Sequence, residues 1–387
     1  PTGITLAPLP NLSSGSIPLP TSVSTTTIPN PYQRGFFNSY NLTVEQEIGS
    51  NFTFNIGYVG TYAVRPVVNL NANASAPGTG SAGGLLSKKY GANYTGTINE
   101  LAPFKDSRYD SLQTTATYRF AGGSNLNVVY TWSKAMSYAD DEDLGGLSFP
   151  YPAFWSKNYA PAGFDRTNNV EVSGVMALPF GKDEPWLHNG IGGKILGGWL
   201  VNPVMSAMSG VPFTVGAGGN LNANGSGQTA DLVAPFHVTH GRPPRTGVTC
   251  ALGDASCEYF APNSFAAPLI TSAANARYGN TNRDEFRGPG YFSMNLSVVR
   301  DFKMREWATL QVRADAFSLT NTPHFGNPNT TCPASATTQG PIGGTGQLCN
   351  TGTNNNFGVI TGVAQPGGFF GPDPGNRVLW FGATVNF

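Results

Sequence analysis

Segments of about ten residues in which apolar and polar side chains alternate recur along the whole 387-residue chain. A β-strand turns successive side chains to opposite faces, so each segment predicts a strand with one apolar and one mixed or polar face. The register of the segment at 196–209 stays open, because both of its faces are apolar. We predict about nine strands: Tyr40–Ile48, Phe52–Gly60, Ser111–Phe120, Asn125–Lys134, Val170–Phe180, Leu196–Ser209, Tyr291–Phe302, Ala308–Phe317 and Arg377–Phe387.

The lengths of these strands favour a membrane β-barrel over a soluble sandwich. Alternation alone does not separate the two, because a sandwich also has one apolar face per strand. A tilted strand needs about 9–11 residues to cross a bilayer, which matches the segments. Aromatic residues also gather near strand ends, where an interfacial girdle is expected. These residues are Tyr40, Tyr58, Tyr118, Phe120, Trp132, Phe381 and Phe387.

Short and long connections alternate between the predicted strands. The short turns are at 49–51, 121–124 and 303–307, with one turn of intermediate length at 181–195, and the long loops span about 61–110, 135–169, 210–290 and 321–376. Outer-membrane barrels have short periplasmic turns and long extracellular loops, whereas loops this long are suspect in a compact soluble domain. We therefore predict a bacterial outer-membrane location with extracellular long loops and a periplasmic C-terminus at Phe387.

The alternation also predicts the direction of the first strand, which begins at Tyr40 on the outer side and runs inward. Residues 1–39 are predicted to be an extracellular, irregular lead-in, and residues 40–387 the barrel portion. The count of strands is odd, whereas single-chain bacterial barrels have an even number. We therefore expect the chain to be the C-terminal part of a larger barrel whose other strands lie upstream.

The composition excludes several classes of protein. Charged residues make up 11% of the chain and the formal net charge is zero, so no basic stripe for nucleic acid is expected. No apolar run is long enough for a transmembrane helix. The four cysteines form two close pairs in loop-like stretches, Cys250 with Cys257 and Cys332 with Cys349. Two local disulfides in an oxidising compartment are predicted, with free thiols as the alternative.

Candidate functional residues fall into two groups. The first comprises charged side chains on the polar strand faces, which would line a lumen and contact a ligand or a plug: Glu45, Glu47, Arg119, Glu171, Arg313 and Asp315. The favoured alternative to a role in ligand contact is that these charges only pair with one another and hydrate the lumen wall. The second comprises loop residues that would meet a ligand outside: Asp140, Asp141, Glu142, Asp143 and Trp155. Solvated loop charge is the favoured alternative for the acidic run.

No arrangement of residues indicates an enzyme, a cofactor or a metal site. The acidic run lacks the D-x-D-x-D-G spacing of a calcium loop, and His237 and His240 lack a carboxylate that would complete a zinc site. Glycine-rich stretches are not followed by the Lys-Ser/Thr pair of a phosphate-binding loop. We expect no cofactor, no bound metal and no catalytic activity.

Five hairpin-sized segments resemble the C-terminal region of TonB-dependent outer-membrane receptors of the Oar-like group. The first reads NSYNLTVEQEIGSNFTFNIGYVG, and the last carries Asn321, Pro323, Phe325, Gly326 and Pro328 of the family pattern. The segments occur in the family's order and cover most of the predicted strands. They are Asn38–Gly60, Ser107–Lys134, Phe164–Gly181, Leu196–Phe213 and Phe286–Pro328.

The resemblance implies a plugged barrel of about 22 strands that imports a scarce ligand. Its implied partners are outer-membrane lipid, an unknown extracellular ligand, the barrel-insertion machinery and the TonB complex, the last only through parts that this chain lacks. A carbohydrate-binding regulatory domain would also lie elsewhere. Phe387 resembles the terminal signature that the insertion machinery reads. Two alternatives stay open: a structural or adhesive outer-membrane barrel without transport, and a secreted all-β binding protein.

Overall fold

The computed structural model describes most of the chain from residue 25 onwards. The described residues are 25–91, 94–120, 123–140, 145–181, 186–187, 190–224, 227–239, 241, 256–351, 356–363, 367–368, 371–372 and 375–387.

Nine long strands dominate the part of the chain that the structure describes. They are β1 (Phe36–Ile48), β2 (Phe52–Val64), β3 (Ser107–Arg119), β4 (Asn125–Ser137), β5 (Asn168–Ala177), β6 (Trp199–Met208), β7 (Tyr291–Arg305), β8 (Ala308–Phe317) and β9 (Val378–Asn386).

Each long strand pairs with the next one along the chain, and every pairing is antiparallel. The fold is thus an all-β antiparallel meander, to which the two-residue strand Ala160–Pro161 adds beside β4. Strands β1 and β9 form the edges of this sheet in the described residues. Strand direction alternates along the meander, so the first and ninth strands, β1 and β9, run the same way. They therefore cannot pair with each other as antiparallel neighbours.

Several predicted boundaries differ from the observed ones. Strand β1 begins at Phe36, so the irregular lead-in predicted for residues 1–39 ends earlier, because Phe36 pairs with Val64 and extends both strands of the hairpin. Leu196 was predicted to start a strand but lies in a short helix, and β6 begins at Trp199.

The remaining elements are short and lie in the connections. The short strands are Thr25–Thr27, Val67–Asn71, Ile98–Pro103, Pro212–Phe213, Gly216–Ala217, Asp231–Leu232, Phe265–Pro268, Phe286–Arg287, Thr331–Cys332, Thr345–Leu348, Gly367–Gly368 and Gly371–Pro372. The α-helices are Leu85–Tyr90 and Gly190–Leu196, and the 3₁₀ helices are Ser81–Gly83, Pro152–Asn158, Pro262–Ser264 and Ala273–Asn275. None of the helices in the described residues is both long and apolar enough to span a membrane.

The connections alternate in length as the sequence predicts. Those at 49–51, 120–124, 178–198 and 306–307 join strands at one end of the sheet, which we call the turn end. The connections at 65–106, 138–167, 209–290 and 318–377 leave the opposite end, the loop end. The four longest connections therefore all leave the same end of the sheet.

One face of the sheet is apolar and largely exposed; we call it the apolar face. One row across it runs Phe54, Ala116, Val128, Val172 and Met205, as the strand registers show. Large side chains stay exposed along this face instead of packing on a second layer, among them Leu42, Val44, Trp132 and Phe381. A soluble sandwich would bury such a face.

Aromatic rings border the apolar face at both ends. At the turn end Phe52, Tyr118 and Phe120 lie in ring contact, with centroids 6.5 and 4.5 Å apart. Towards the loop end the rings of Tyr40 and Tyr58 are 5.9 Å apart. Tyr40 and Ile48, the last residue of β1, are separated by roughly 26 Å along the strand at about 3.3 Å per residue. At a barrel tilt of about 40° this spans roughly 20 Å of height, most of an apolar membrane band about 25 Å tall.

Candidate functional site

All six predicted lumen residues project from the polar face of the sheet. Glu45 is in register with Asn55, then Thr115, Val129 and Glu171, so Glu45 and Glu171 share one face. The same alternation places Glu47, Arg119, Arg313 and Asp315 on this face. These six charged side chains therefore lie on the face opposite the apolar one, as in a barrel wall.

The six charged residues do not form a single cluster. Glu45 and Glu171 stand four strand spacings apart, or roughly 19 Å at about 4.8 Å per strand. Arg313 donates from Nε to Asp315 Oδ1 at 2.8 Å, and Glu171 accepts a weak hydrogen bond from Asn169 at 3.4 Å. These contacts fit a charged, hydrated wall, and a role in conducting ligand stays a prediction.

The four long loops pack together into one structure at the loop end, which we call the loop lobe. Phe260 and Phe265 of the third loop pack against Phe357 of the fourth in the largest apolar cluster. A second cluster joins Phe149 of the second loop to Tyr278 of the third, with ring centroids 4.9 Å apart. The lobe thus has its own core, outside the sheet.

A third cluster ties the first loop into the same lobe. Phe104 packs edge-on against Trp155 of the second loop, with ring centroids 4.8 Å apart, and Val68 and Leu147 lie beside them. The indole Nε1 of Trp155 donates to the carbonyl of Pro150 at 2.9 Å. Trp155, a predicted ligand contact, therefore holds two loops together.

Two arginines anchor the lobe to the strands below it. The side chain of Arg283 is only 3% exposed and lies 2.6 Å from Oδ1 of Asp140 through Nη1. Arg287 pairs with the buried carboxylate of Asp165, whose other oxygen accepts the backbone N–H of Ala135 in β4 at 2.6 Å. Loop positions are therefore fixed by charge-assisted contacts as well as by apolar packing.

Of the acidic run, the described residues include only the first, Asp140. Asp140 is engaged by Arg283 and also accepts the backbone N–H of Gly163 at 2.6 Å, so it has a structural role. Asp141, Glu142 and Asp143 lie outside the described residues. Within the described ranges no group of three or more His, Cys, Asp or Glu side chains is arranged to hold a metal ion.

One predicted disulfide is present in the loop lobe. Cys332 and Cys349 are bonded across 17 residues and lie inside the largest apolar cluster. Cys257 is also disulfide-bonded, while its predicted partner Cys250 lies outside the described residues. His240 lies outside them as well.

Asp284 is a buried carboxyl group of the loop lobe, and burial raises its pKa from 3.8 to about 6. The hydrogen bond and the charge of Asp140 raise this pKa further, whereas Arg283 and Thr214 lower it. The folded lobe then binds this proton more tightly than the unfolded chain, so ionisation of Asp284 costs stability above about pH 6. We expect the lobe to become more stable as the pH falls from about 7 towards 4, and Asp284→Asn to flatten that gain. The gain in stability is measured as the shift of the lobe's thermal unfolding midpoint at several pH values, with protease cleavage as the readout of unfolding. An equal pH dependence in the variant contradicts the assignment.

A cavity of about 390 Å³ opens between the first and second loops, and we call it the loop pocket. Glu100 enters it beside its cross-strand partner Leu70, and Lys88 enters it from the short helix that also contributes Leu85. Trp155 lines the same cavity. The full lining is Leu70, Asn71, Ala72, Ala74, Gly83, Leu85, Lys88, Glu100, Pro150, Tyr151, Pro152 and Trp155.

Lys88 and Glu100 are the pocket's charged residues, and neither side chain has a hydrogen-bond or ion-pair partner among the described residues. Two opposite charges beside aromatic and aliphatic walls suit a small ligand with polar groups at both ends. Sequence reasoning found Trp155 but missed Lys88 and Glu100. The available signal was the rarity of charge in these loops, which makes each charged residue there a stronger candidate.

The terminal residue Phe387 lies at the turn end, where its ring stacks with that of Trp307 at a centroid distance of 6.2 Å. Its side chain is otherwise exposed on the side of the apolar face. This position fits the aromatic border of a membrane sheet. Recognition of Phe387 by an insertion machinery stays a prediction.

The match to a protein family agrees with this geometry. The "Outer membrane beta barrel domain" family matches residues 1–377. A similar solved structure is the outer membrane transporter YddB from Escherichia coli, with 8% identity over 95% of this chain and a TM-score of 0.46. The chain covers 34% of that transporter's length. None of the curated proteins matches the chain. Since the family match spans nearly the whole sequence, the chain belongs to the outer membrane β-barrel domain family.

Proposed function

We propose that this chain is the C-terminal barrel portion of a TonB-dependent outer-membrane receptor, and that its loop lobe captures the ligand for import. The observation that carries the proposal is the loop lobe itself. Four long loops from one end of a membrane sheet are joined by three apolar clusters, and a pocket with two unpaired charges opens between the first two of them. A pore that only lets solutes diffuse does not require such an assembled surface.

The hairpin segments that resemble TonB-dependent receptors support the dependence on TonB. The exposed apolar face and its aromatic borders support burial of the sheet in the outer membrane, and the loop lobe would then face the exterior. A structural or adhesive barrel shares these features, so energy-dependent uptake is the property that separates the two functions. Further strands would complete the wall, because β1 and β9 run in the same direction.

The proposal predicts that the loop pocket controls uptake. We expect Glu100→Gln combined with Lys88→Met to weaken ligand binding by at least about tenfold, because both polar anchors of the ligand are lost. Fluorescent oligopeptides and oligosaccharides added to cells that express the full-length protein are suitable probes. Uptake is measured with and without an uncoupler of the inner-membrane proton gradient.

Lys89→Met is the matched control for this experiment. Lys89 neighbours Lys88 on the same helix, but its ammonium lies over the ring of Tyr90 and outside the pocket. Uptake that resists the uncoupler, or surface binding with no uptake, would reject the transport proposal. Equal loss of binding in the Lys89 control and in the double variant would reject the pocket.

A further inference from the structure

The helix Gly190–Leu196 in the connection between β5 and β6 has two unlike faces. Gly193 and Gly197 are buried against the preceding turn. A Cβ atom on Gly193 would lie 2.2 Å from the carbonyl oxygen of Leu187, and one on Gly197 would lie 2.8 Å from Cα of Gly181. The glycine face therefore packs directly on the backbone of the preceding turn, without room for a larger side chain.

The opposite face of this helix is apolar and uncovered. Ile191 and Ile195 lie one helical turn apart, with exposures of 77% and 59%. Trp186, Leu187 and Leu196 of the same connection are exposed as well. Five large apolar side chains in one short connection form a patch that a soluble surface seldom shows.

Contacts at the end of the helix place this patch next to the apolar face of the sheet. Arg300 pairs in register with Trp199 and with Val312, so it belongs to the apolar face. Its two terminal nitrogens donate to the carbonyls of Ile195 and Lys194, each at 2.6 Å. The indole of Trp199 also donates to the carbonyl of Ile195, at 2.9 Å. These bonds satisfy helix-end carbonyls and hold the helix at the turn end of the apolar face.

We propose that Gly190–Leu196 is an interfacial helix that inserts Ile191 and Ile195 into the phospholipid leaflet at the turn end of the barrel. The patch continues the exposed apolar face of a protein in an outer-membrane barrel family, so the lipid that covers that face also covers the patch. An in-plane helix with an apolar side and nearby tryptophans has the composition of a membrane-interface element. The exposed Lys194 reaches lipid phosphate from the same helix.

Environment-sensitive fluorophores test the inference on the full-length protein in vesicles of phosphatidylethanolamine and phosphatidylglycerol. The fluorophore NBD is attached to Ile191→Cys or Ile195→Cys, with the native disulfides left oxidised. Ser50→Cys is the matched control, because Ser50 is exposed in the tight turn 49–51 at the same end of the sheet. We expect doxyl-labelled lipids to quench NBD at the two isoleucine sites at least about threefold more than at the control.

Aqueous iodide gives the complementary readout in the same samples. The inference requires iodide to quench NBD at positions 191 and 195 about threefold less than at position 50. Equal access of iodide to all three positions, in samples whose heat-modifiable mobility shows a folded barrel, overturns it. An unlabelled Ile191→Asp/Ile195→Asp variant adds a check on stability. Its thermal midpoint in vesicles falls by several degrees if the helix is in lipid, and an unchanged midpoint counts against the inference.

Discussion

Val128→Arg is expected to destabilise the folded barrel by about 1–3 kcal/mol, because it places a charge on the apolar face between the turn-end border and the middle of the membrane band. Val128 lies in β4 between Ala116 of β3 and Val172 of β5, and none of these neighbours offers a compensating charge. Denaturant titration of the protein refolded into phospholipid vesicles measures the loss as a change in the free energy of unfolding.

The adjacent residue of the same strand supplies the control. Asn127 points to the polar face, between Thr117 and Ser173, where its Oδ1 accepts a hydrogen bond from Thr117 at 2.9 Å. Asn127→Arg loses that bond but keeps its charge in water, so we expect a cost of about 1 kcal/mol or less. Equal costs at the two positions would refute the assignment of the apolar face to lipid.

The sheet is predictable from sequence because each strand has two unlike environments. Alternation at Ala308–Phe317 predicts that strand with the observed bounds, since lipid selects every second side chain and water the others. The terminal segment behaves in the same way, with Leu379, Phe381, Ala383 and Val385 on the apolar face. A long-range register follows from such a pattern, because a shift by one residue would exchange the faces.

The same reasoning fails where both faces of a segment are apolar. In β6, Leu200 and Val204 share the polar face with Asn202 and Ser206, while Met205 lies on the apolar face. No alternation rule identifies that register from the sequence. The preceding helix was missed for a related reason, because its glycines break the helical pattern that its isoleucines would otherwise show.

The loop lobe was predicted only as a set of long loops. Its core residues Phe260, Phe265 and Phe286 occupy irregular positions, and the first two contact Phe357 of the fourth loop, more than ninety residues further along the chain. No periodicity marks such contacts. A high frequency of phenylalanine in a loop of an outer-membrane protein indicates a packed lobe, because a loop that stays exposed has no core in which to bury aromatic rings.

Arg283 connects three separate parts of the structure. Its Nε donates to the carbonyl of Asn158 at 3.0 Å, and Nη2 donates to the carbonyl of Ser137 at 2.5 Å. Nη1 lies 2.6 Å from Asp140 and 3.5 Å from Asp284, without the geometry of a hydrogen bond, so these two contacts are ion pairs. One side chain thus joins the end of β4, the second loop and the third loop.

Arg283→Ala is expected to cost the loop lobe about 3–5 kcal/mol, because it leaves Asp140 and Asp284 close together without their shared cation. Arg313→Ala is the control: Arg313 also pairs with an aspartate but is 55% exposed, and such pairs contribute about 1 kcal/mol or less. Protease-monitored unfolding of the lobe, alongside heat-modifiable mobility of the barrel, separates the two units. Adding Asp284→Asn to Arg283→Ala should recover part of the loss, since it removes one of the stranded charges. A loss no larger than that of the control, or no recovery in the double variant, would show that apolar packing alone holds the loops together.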